Sequence, residues 1–240
     1  MRTRLKRIKP KWETFVPVFY PCANALLLTV LWVVARWKVT GRENIPPEGA
    51  LLVVCNHLSN ADPPIVATAI ARRRVRFMAK VELFKYPLGA IIRLYGAFPV
   101  RRFDADIGAL LNAERILKHG GVLGMFPEGH RSRTGYIGKP HPGTAMVALR
   151  SGALVIPCAI TGTEQLRRPL NLLKRPPISV HIGEPIHVAP VRRPSEEQVS
   201  DLTERIFSEI KALLPAKYLD AYTGSEGTAD SDDGGDHSGE

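Results

Sequence analysis

The 240-residue sequence predicts an α/β fold: a single domain with a mixed, mostly parallel sheet covered by helices, preceded by an N-terminal membrane-associated helical segment. Three observations support this. Short apolar, β-branched runs alternate with stretches of helical periodicity from Trp37 onward. Residues 51–55, LLVVC, are apolar at every position, as a strand buried on both faces must be. A charge-free run from Thr14 to Ala35 stands ahead of all of them.

That N-terminal segment, residues 1–37, begins with six bases: Arg2, Arg4, Lys6, Arg7, Lys9 and Lys11. The apolar run FVPVFYPCANALLLTVLWVVA follows from Phe15, and it ends VVARWK, without the small-residue pattern at which a signal peptide is cleaved. Pro17 and Pro21 interrupt it, leaving an unbroken helix over residues 22–37, about 24 Å long against the ~30 Å of a bilayer core. Bases flank both ends. Two short helices meeting near residues 17–21 and lying in one leaflet satisfy both flanks, so monotopic attachment to the cytoplasmic face of the cell membrane is the preferred reading. Trp12, Phe15, Phe19, Tyr20, Trp32 and Trp37 are then interfacial anchors. A single span and a soluble core helix are the alternatives.

Residues 38–222 form the expected α/β domain. Strands are predicted at 38–40, 51–55, 75–79, 97–100, 122–126, 155–160 and 178–182. Helices are predicted at 63–73, 106–118, 143–151 and 195–214, the last opened by Ser195 and Gln198 at capping-box spacing and closed by Pro215. Segments 168–177 and 189–194 read as Pro-rich loops, and Pro157 inside a strand argues for an edge or a bulge. Residues 223–240 carry six acids and no Lys or Arg, and have almost nothing to bury, which predicts a disordered acidic tail. Without it 33 bases face 17 acids, about +16, a balance that favours a polyanionic partner: an anionic membrane, a phosphorylated substrate or nucleic acid. The three cysteines, Cys22, Cys55 and Cys158, all lie in apolar runs and read as buried thiols of a reducing compartment, not as a disulfide framework.

Chemistry concentrates where strands end, since ligands of open α/β sheets bind at carboxyl ends. The 51–55 strand stops at Asn56-His57, and Asp62-Pro63-Pro64 opens the next helix, with Asp62 read as N-cap and Pro63 as first helical residue. A carboxylate turned back onto the imidazole would leave the other ring nitrogen basic, the arrangement of a general base; a loop histidine beside a helix cap is the plainer alternative. Arg101 and Arg102 follow the 97–100 strand and suit phosphate, whose oxygens match the guanidinium fork; a solvated edge is the alternative. Glu128, Gly129, His130 and Arg131 follow the 122–126 strand, where a turn or a surface ion pair is equally open. Cys55, two residues before His57, allows a Cys-His nucleophile in principle, although an apolar strand is a poor place for a thiolate. A basic adaptor for membrane or nucleic acid is a further reading. The run Arg72-Arg73-Arg74 supports it weakly, without interleaved aromatics.

Four clusters occur in order: Asn56-His57-x-Ser59-x-x-Asp62, Gly96-x-Phe98-x-x-Arg101-Arg102, Phe126-Pro127-Glu128-Gly129-x-Arg131-Ser132 and Val155-Ile156-Pro157. Together they resemble the four sequence blocks of the glycerolipid acyltransferases of the 1-acylglycerol-3-phosphate acyltransferase type, the PlsC-like family. The resemblance covers residues 38–184, and the two N-terminal helices resemble the membrane-seated segment of bacterial members. One departure stands out: the third block usually reads Phe-Pro-Glu-Gly-Thr-Arg-Ser, and here His130 replaces the Thr.

The resemblance implies transfer of a fatty acyl group from a thioester, acyl-CoA or acyl carrier protein, to the free hydroxyl of a lysophospholipid. The acceptor implied is 1-acyl-sn-glycerol-3-phosphate, with glycerol 3-phosphate or another lysophospholipid as alternatives. It implies that His57, oriented by Asp62, takes the hydroxyl proton. Lys80, Arg101 or Arg102, and Arg131 would hold the acceptor phosphate, and Glu128 and Gly129 would shape the glycerol-binding end. Neither a cofactor nor a metal is expected, because direct transfer needs no protein nucleophile and the seven histidines show no metal-ligand spacing. Partners are then membrane lipid and acyl donor, with no nucleic acid.

Overall fold

The computed structural model describes residues 16–71, 73–85, 88–101, 106–132, 134–167 and 169–219. The bases of residues 1–13, the anchors Trp12 and Phe15, Arg72, Arg102 and the acidic tail 223–240 lie outside the described residues.

Seven strands form one sheet: β1 Arg36–Thr40, β2 Leu51–Cys55, β3 Val75–Lys80, β4 Phe98–Val100, β5 Val122–Met125, β6 Leu154–Thr161 and β7 Pro177–Ile182. Their spatial order is β1-β7-β6-β2-β5-β3-β4. From β6 to β4 every pairing is parallel; β7 runs antiparallel to β6, and β1 runs parallel to β7. The sheet is therefore mixed and mostly parallel, as the alternation of elements implied, with β1 and β7 reversed against the other five. The starts of β1 and β7 consequently lie on the same edge as the carboxyl ends of β6, β2, β5, β3 and β4.

Strands with apolar residues at every position need cover on both faces, and they have it. Leu52, Val54, Leu123 and Val155 point to one side and pack in a cluster with α4 (Ile107–Lys118), α5 (Gly143–Ser151) and α7 (Glu196–Ala212). Leu51, Val53, Cys55 and Ile156 point to the other, into a cluster with α1 (Val16–Val34) and α2 (Asp62–Ile70). Each such side chain removed from water stabilises the fold by roughly 1.5–3 kcal/mol. Two short helices, α3 (Leu88–Leu94) and α6 (Pro169–Leu173), complete the domain.

Several expectations are corrected here. The break foreseen at residues 17–21 is absent: α1 is one helix, with Pro17 in its first turn, where no amide partner is needed, and Pro21 inside it. Tyr20 is not an interfacial anchor, being buried, with its hydroxyl accepting from the Val75 amide at 3.1 Å. Nor is Trp37, which sits in β1 opposite Ile178. Cys22 is exposed while Cys55 and Cys158 are buried, all three as free thiols. The 168–177 segment contains α6. α2 stops at Ile70, three residues early, where Ala71 adopts φ 44.

The next two arginines serve as ties within the fold. Arg73 donates to the carbonyls of Gly49 and Gly120, and Arg74 lies 6.0 Å over the Tyr20 ring. Pro157 lies in an interior strand, not at an edge. Its missing N–H falls at a break in the ladder, between the pairing of β6 with β7 up to Ile182 and the isolated bridge from Val155 to Ile186. Among the described residues no helix is long and apolar enough to cross a membrane.

Candidate active site

β2 ends at Cys55 because the next side chain replaces a strand's backbone. The Asn56 amide donates to the Ile160 carbonyl at 3.0 Å and accepts from the Ile160 N–H at 2.8 Å, so the chain stays docked on β6 while leaving the ladder. His57 thus emerges at the carboxyl edge in a fixed position. Its ring is almost wholly buried and stacks on Phe126, centroids 4.1 Å apart, and Phe126 stacks in turn on Phe77 at 5.8 Å.

Asp62 meets it. The His57 Nδ1 to Asp62 Oδ2 distance is 2.9 Å, and the same oxygen accepts the amides of Leu58 at 2.6 Å and Ser59 at 2.7 Å. The expectation that Asp62 caps α2 is corrected: Ala61 occupies that position, and the carboxylate makes no cap bond. Pro63 and Pro64 explain why. Neither has an N–H, and the Ile65 amide is taken by the Ala61 carbonyl, so the first turn offers the carboxylate nothing and leaves it free to turn back. Its Oδ1 accepts from the Thr163 hydroxyl at 2.6 Å, from just beyond the end of β6. With Nδ1–H held by a carboxylate, Nε2 is the basic nitrogen, and the His57 ring lines a cavity.

Glu128 is fully buried. Its Oε1 accepts the His57 N–H and its Oε2 the Gly138 N–H, both at 2.8 Å, so it holds the backbone of the site instead of lining the cavity. Burial, opposed by those two amides, pushes its pKa up to about 7. The loop that follows is fastened as well, with the Ser132 amide donating to the His57 carbonyl at 2.8 Å. Arg131, one residue earlier, is exposed beside that link, and so is His130. Gly129 lines the cavity at φ 70; a Cβ there would come within 2.9 Å of the His141 ring.

Lys80 ends β3 and sits 3.7 Å from Glu82, and Arg101 follows directly on β4, exposed, with Lys80 opposite Val100 in register. Lys80, Arg101 and Arg131 therefore share the edge that carries His57, while Arg102 lies outside the described residues.

The cavity itself measures about 590 Å3 and runs from His57 between Phe77, Ile91, Tyr95, Val100 and Met125, an almost wholly apolar wall. A second groove, of about 870 Å3 between α5 and α7, is lined by neither His57 nor Asp62. The thiol route fails on burial: Cys55 is inaccessible, and desolvation pushes its thiol well above the ordinary range. Two residues of the site escaped the sequence reading, Thr163 and His141. Thr163 follows the end of β6, so the carboxyl-end rule applied to that strand would have pointed to it.

The family model described as Acyltransferase matches residues 36–161, more than half of the chain, and spans His57, Asp62 and Glu128. The chain belongs to the acyltransferase family. This acyltransferase is 30% identical over 194 residues to the 1-acyl-sn-glycerol-3-phosphate acyltransferase of Bacillus subtilis, covering 80% of this chain and 94% of that one. It is 28% identical to the Streptococcus pneumoniae enzyme of the same name, covering 82% and 73%. The crystal structure of PlsC, the 1-acyl-sn-glycerophosphate acyltransferase of Thermotoga maritima, superposes with a TM-score of 0.65 at 25% identity, over 86% of this acyltransferase and 83% of that chain.

Proposed function

We propose that this enzyme transfers a fatty acyl group from an acyl thioester to the free hydroxyl of 1-acyl-sn-glycerol-3-phosphate, forming phosphatidic acid for phospholipid synthesis. One observation carries the reading: an imidazole fixed by a buried carboxylate at 2.9 Å opens onto a deep apolar cavity. Nε2 of His57 takes the hydroxyl proton as the oxygen attacks the thioester carbonyl; the C–S bond then breaks, and the proton passes to the departing thiolate. Asp62 stabilises the imidazolium formed in between. The apolar cavity, in the range typical of ligand sites, takes an acyl chain. Lys80, Arg101 and Arg131 bind the acceptor phosphate, and Arg102 remains a candidate beside Arg101. Glu128 acts through the backbone that it holds, and Gly129 leaves room for the glycerol. The route needs no metal or resident cofactor, with acyl-CoA or acyl carrier protein as donor substrate.

The enzyme attaches to the cytoplasmic face of the membrane monotopically, through the outer face of α1, where Val18, Leu26, Val30, Trp32 and Val33 are exposed. Detergent-solubilised protein assayed against a matrix of donors and acceptors tests the reading, with His57→Ala as control. Turnover of lysophosphatidate by the parent and none by the variant supports it; equal rates would reject His57 as the base.

A further inference from the structure

The reversal of β1 and β7 brings two apolar features to the edge that carries His57. One is the end of α1, where Trp32 is 72% exposed. The other is α6, reached directly from Thr163 and leading into β7, with Leu170 75% and Leu173 83% exposed. Leucines on a five-residue helix, turned largely to solvent, bury little within the domain.

The two features are fastened to each other. Arg175, just past α6, holds the left-handed conformation at φ 46 and donates from Nη2 to the Trp32 carbonyl at 2.7 Å, closing the carboxyl end of α1. A non-glycine residue kept at positive φ is costly and persists where surrounding contacts over-determine it. Arg36, Lys174 and Arg175 are all exposed around this junction, and the Arg36 amide bonds to the Pro176 carbonyl at 3.0 Å. Apolar side chains ringed by bases match an anionic bilayer surface, hydrocarbon beneath and phosphate around. Trp32 itself belongs to the exposed apolar stretch of α1 with Val30 and Val33, so the Arg175 link ties α6 to that helix.

We propose that α6 is a second membrane contact, in which Leu170 and Leu173 enter an anionic leaflet beside the Trp32 end of α1 while Arg36, Lys174 and Arg175 meet its headgroups. α1 alone leaves the domain free to roll about the helix axis. A second contact at the His57 edge fixes that angle, so the edge faces the lipid from which the acceptor must come. The proposal rests on the acyl-transfer reading only for its effect on rate; the contact itself is independent of it.

The test uses the full chain and a Leu170→Asp/Leu173→Asp double variant. Binding is measured by co-sedimentation with vesicles of phosphatidylglycerol and phosphatidylcholine, or of phosphatidylcholine alone. Removing two leucines from the leaflet should lower partitioning to the anionic vesicles by roughly tenfold or more. The rate on vesicle-borne lysophosphatidate should fall by a similar factor, and the rate on a short-chain, water-soluble acceptor should be unchanged. Unaltered partitioning overturns the proposal. So does an equal loss on the soluble acceptor, which would mean damage to the site, or a change in oligomeric mass, which would mean that α6 meets a second copy. Failure of the parent to turn over any acceptor would sink the acyl-transfer reading, while the partitioning comparison would still decide this one.

Discussion

Replacing Thr163 by Val exchanges a hydroxyl for a methyl at nearly constant volume, at a fully buried position. The three other bonds to Asp62 all reach Oδ2, and Thr163 alone holds Oδ1 among the described residues. A hydrogen bond to a charged group is worth about 1.5–3 kcal/mol, and both Thr163 and Asp62 are fully buried, away from bulk solvent. The folded state should therefore lose about 2 kcal/mol. A carboxylate released on one side also orients the imidazole less firmly, so kcat/KM for acyl transfer should fall by about tenfold to a hundredfold, since each 1.4 kcal/mol is a factor of ten. Thr163→Ser keeps the hydroxyl and should recover most of both. Urea denaturation and initial rates measure the two effects. If Thr163→Val matches Thr163→Ser in stability and in rate, the bond to Oδ1 does not orient the pair.

His57→Ala should reduce turnover by about 10^3-fold or more while leaving vesicle binding intact, whereas Cys55→Ala should leave turnover nearly unchanged; a large loss in the latter would revive a thiol nucleophile. Glu128 has its pKa raised from 4.5 to about 7, so the folded protein binds its proton more tightly than the unfolded chain does. Its contribution is thus fully present below about pH 4.5 and lost as pH rises through about 7, an effect of at most about 3 kcal/mol. Denaturation midpoints across that window should show the decline. Glu128→Gln should abolish it, while lowering stability near neutral pH, because an amide cannot accept both backbone N–H groups. A Cβ on Gly124 would stand 2.2 Å from Cε1 of Phe77, so Gly124→Ala should push the Phe77–Phe126–His57 stack and destabilise the protein by about 1–3 kcal/mol. Thermal unfolding measures this, and an unchanged midpoint would show that Phe77 has room to yield.

The strands were legible in the sequence because burial on both faces leaves no place for polar residues. The bounds of β2 were readable to the residue, as were those of α5, and the Ser195 capping box of α7 is formed as its spacing implied. The pairing of His57 with Asp62 was readable too, since both partners lie on one strand-loop-helix junction. What local patterns missed depends on distant partners. Pro21 is carried inside α1, which packs its buried face against the domain, and Pro157 sits inside the sheet because the neighbouring strand leaves the ladder opposite its missing donor. Asp62 looked like a cap because the pattern Asp-Pro usually is one, yet two successive prolines removed the donors that a cap requires. Thr163 reaches Asp62 across 101 positions of sequence, beyond any window of periodicity.

Gly162 has φ 84, and a Cβ there would lie 1.9 Å from the Pro177 carbonyl oxygen, so the chain leaves the sheet and re-enters it at almost the same spot. Whatever lies between those two pinned points is an excursion whose length costs little loop entropy to change. A segment inserted or exchanged within residues 164–176 should therefore leave the His57–Asp62 pair as it stands, provided that Glu164, which accepts from the Tyr218 hydroxyl, Arg175, which holds the Trp32 carbonyl, and Pro176, whose carbonyl holds the Arg36 amide, are kept.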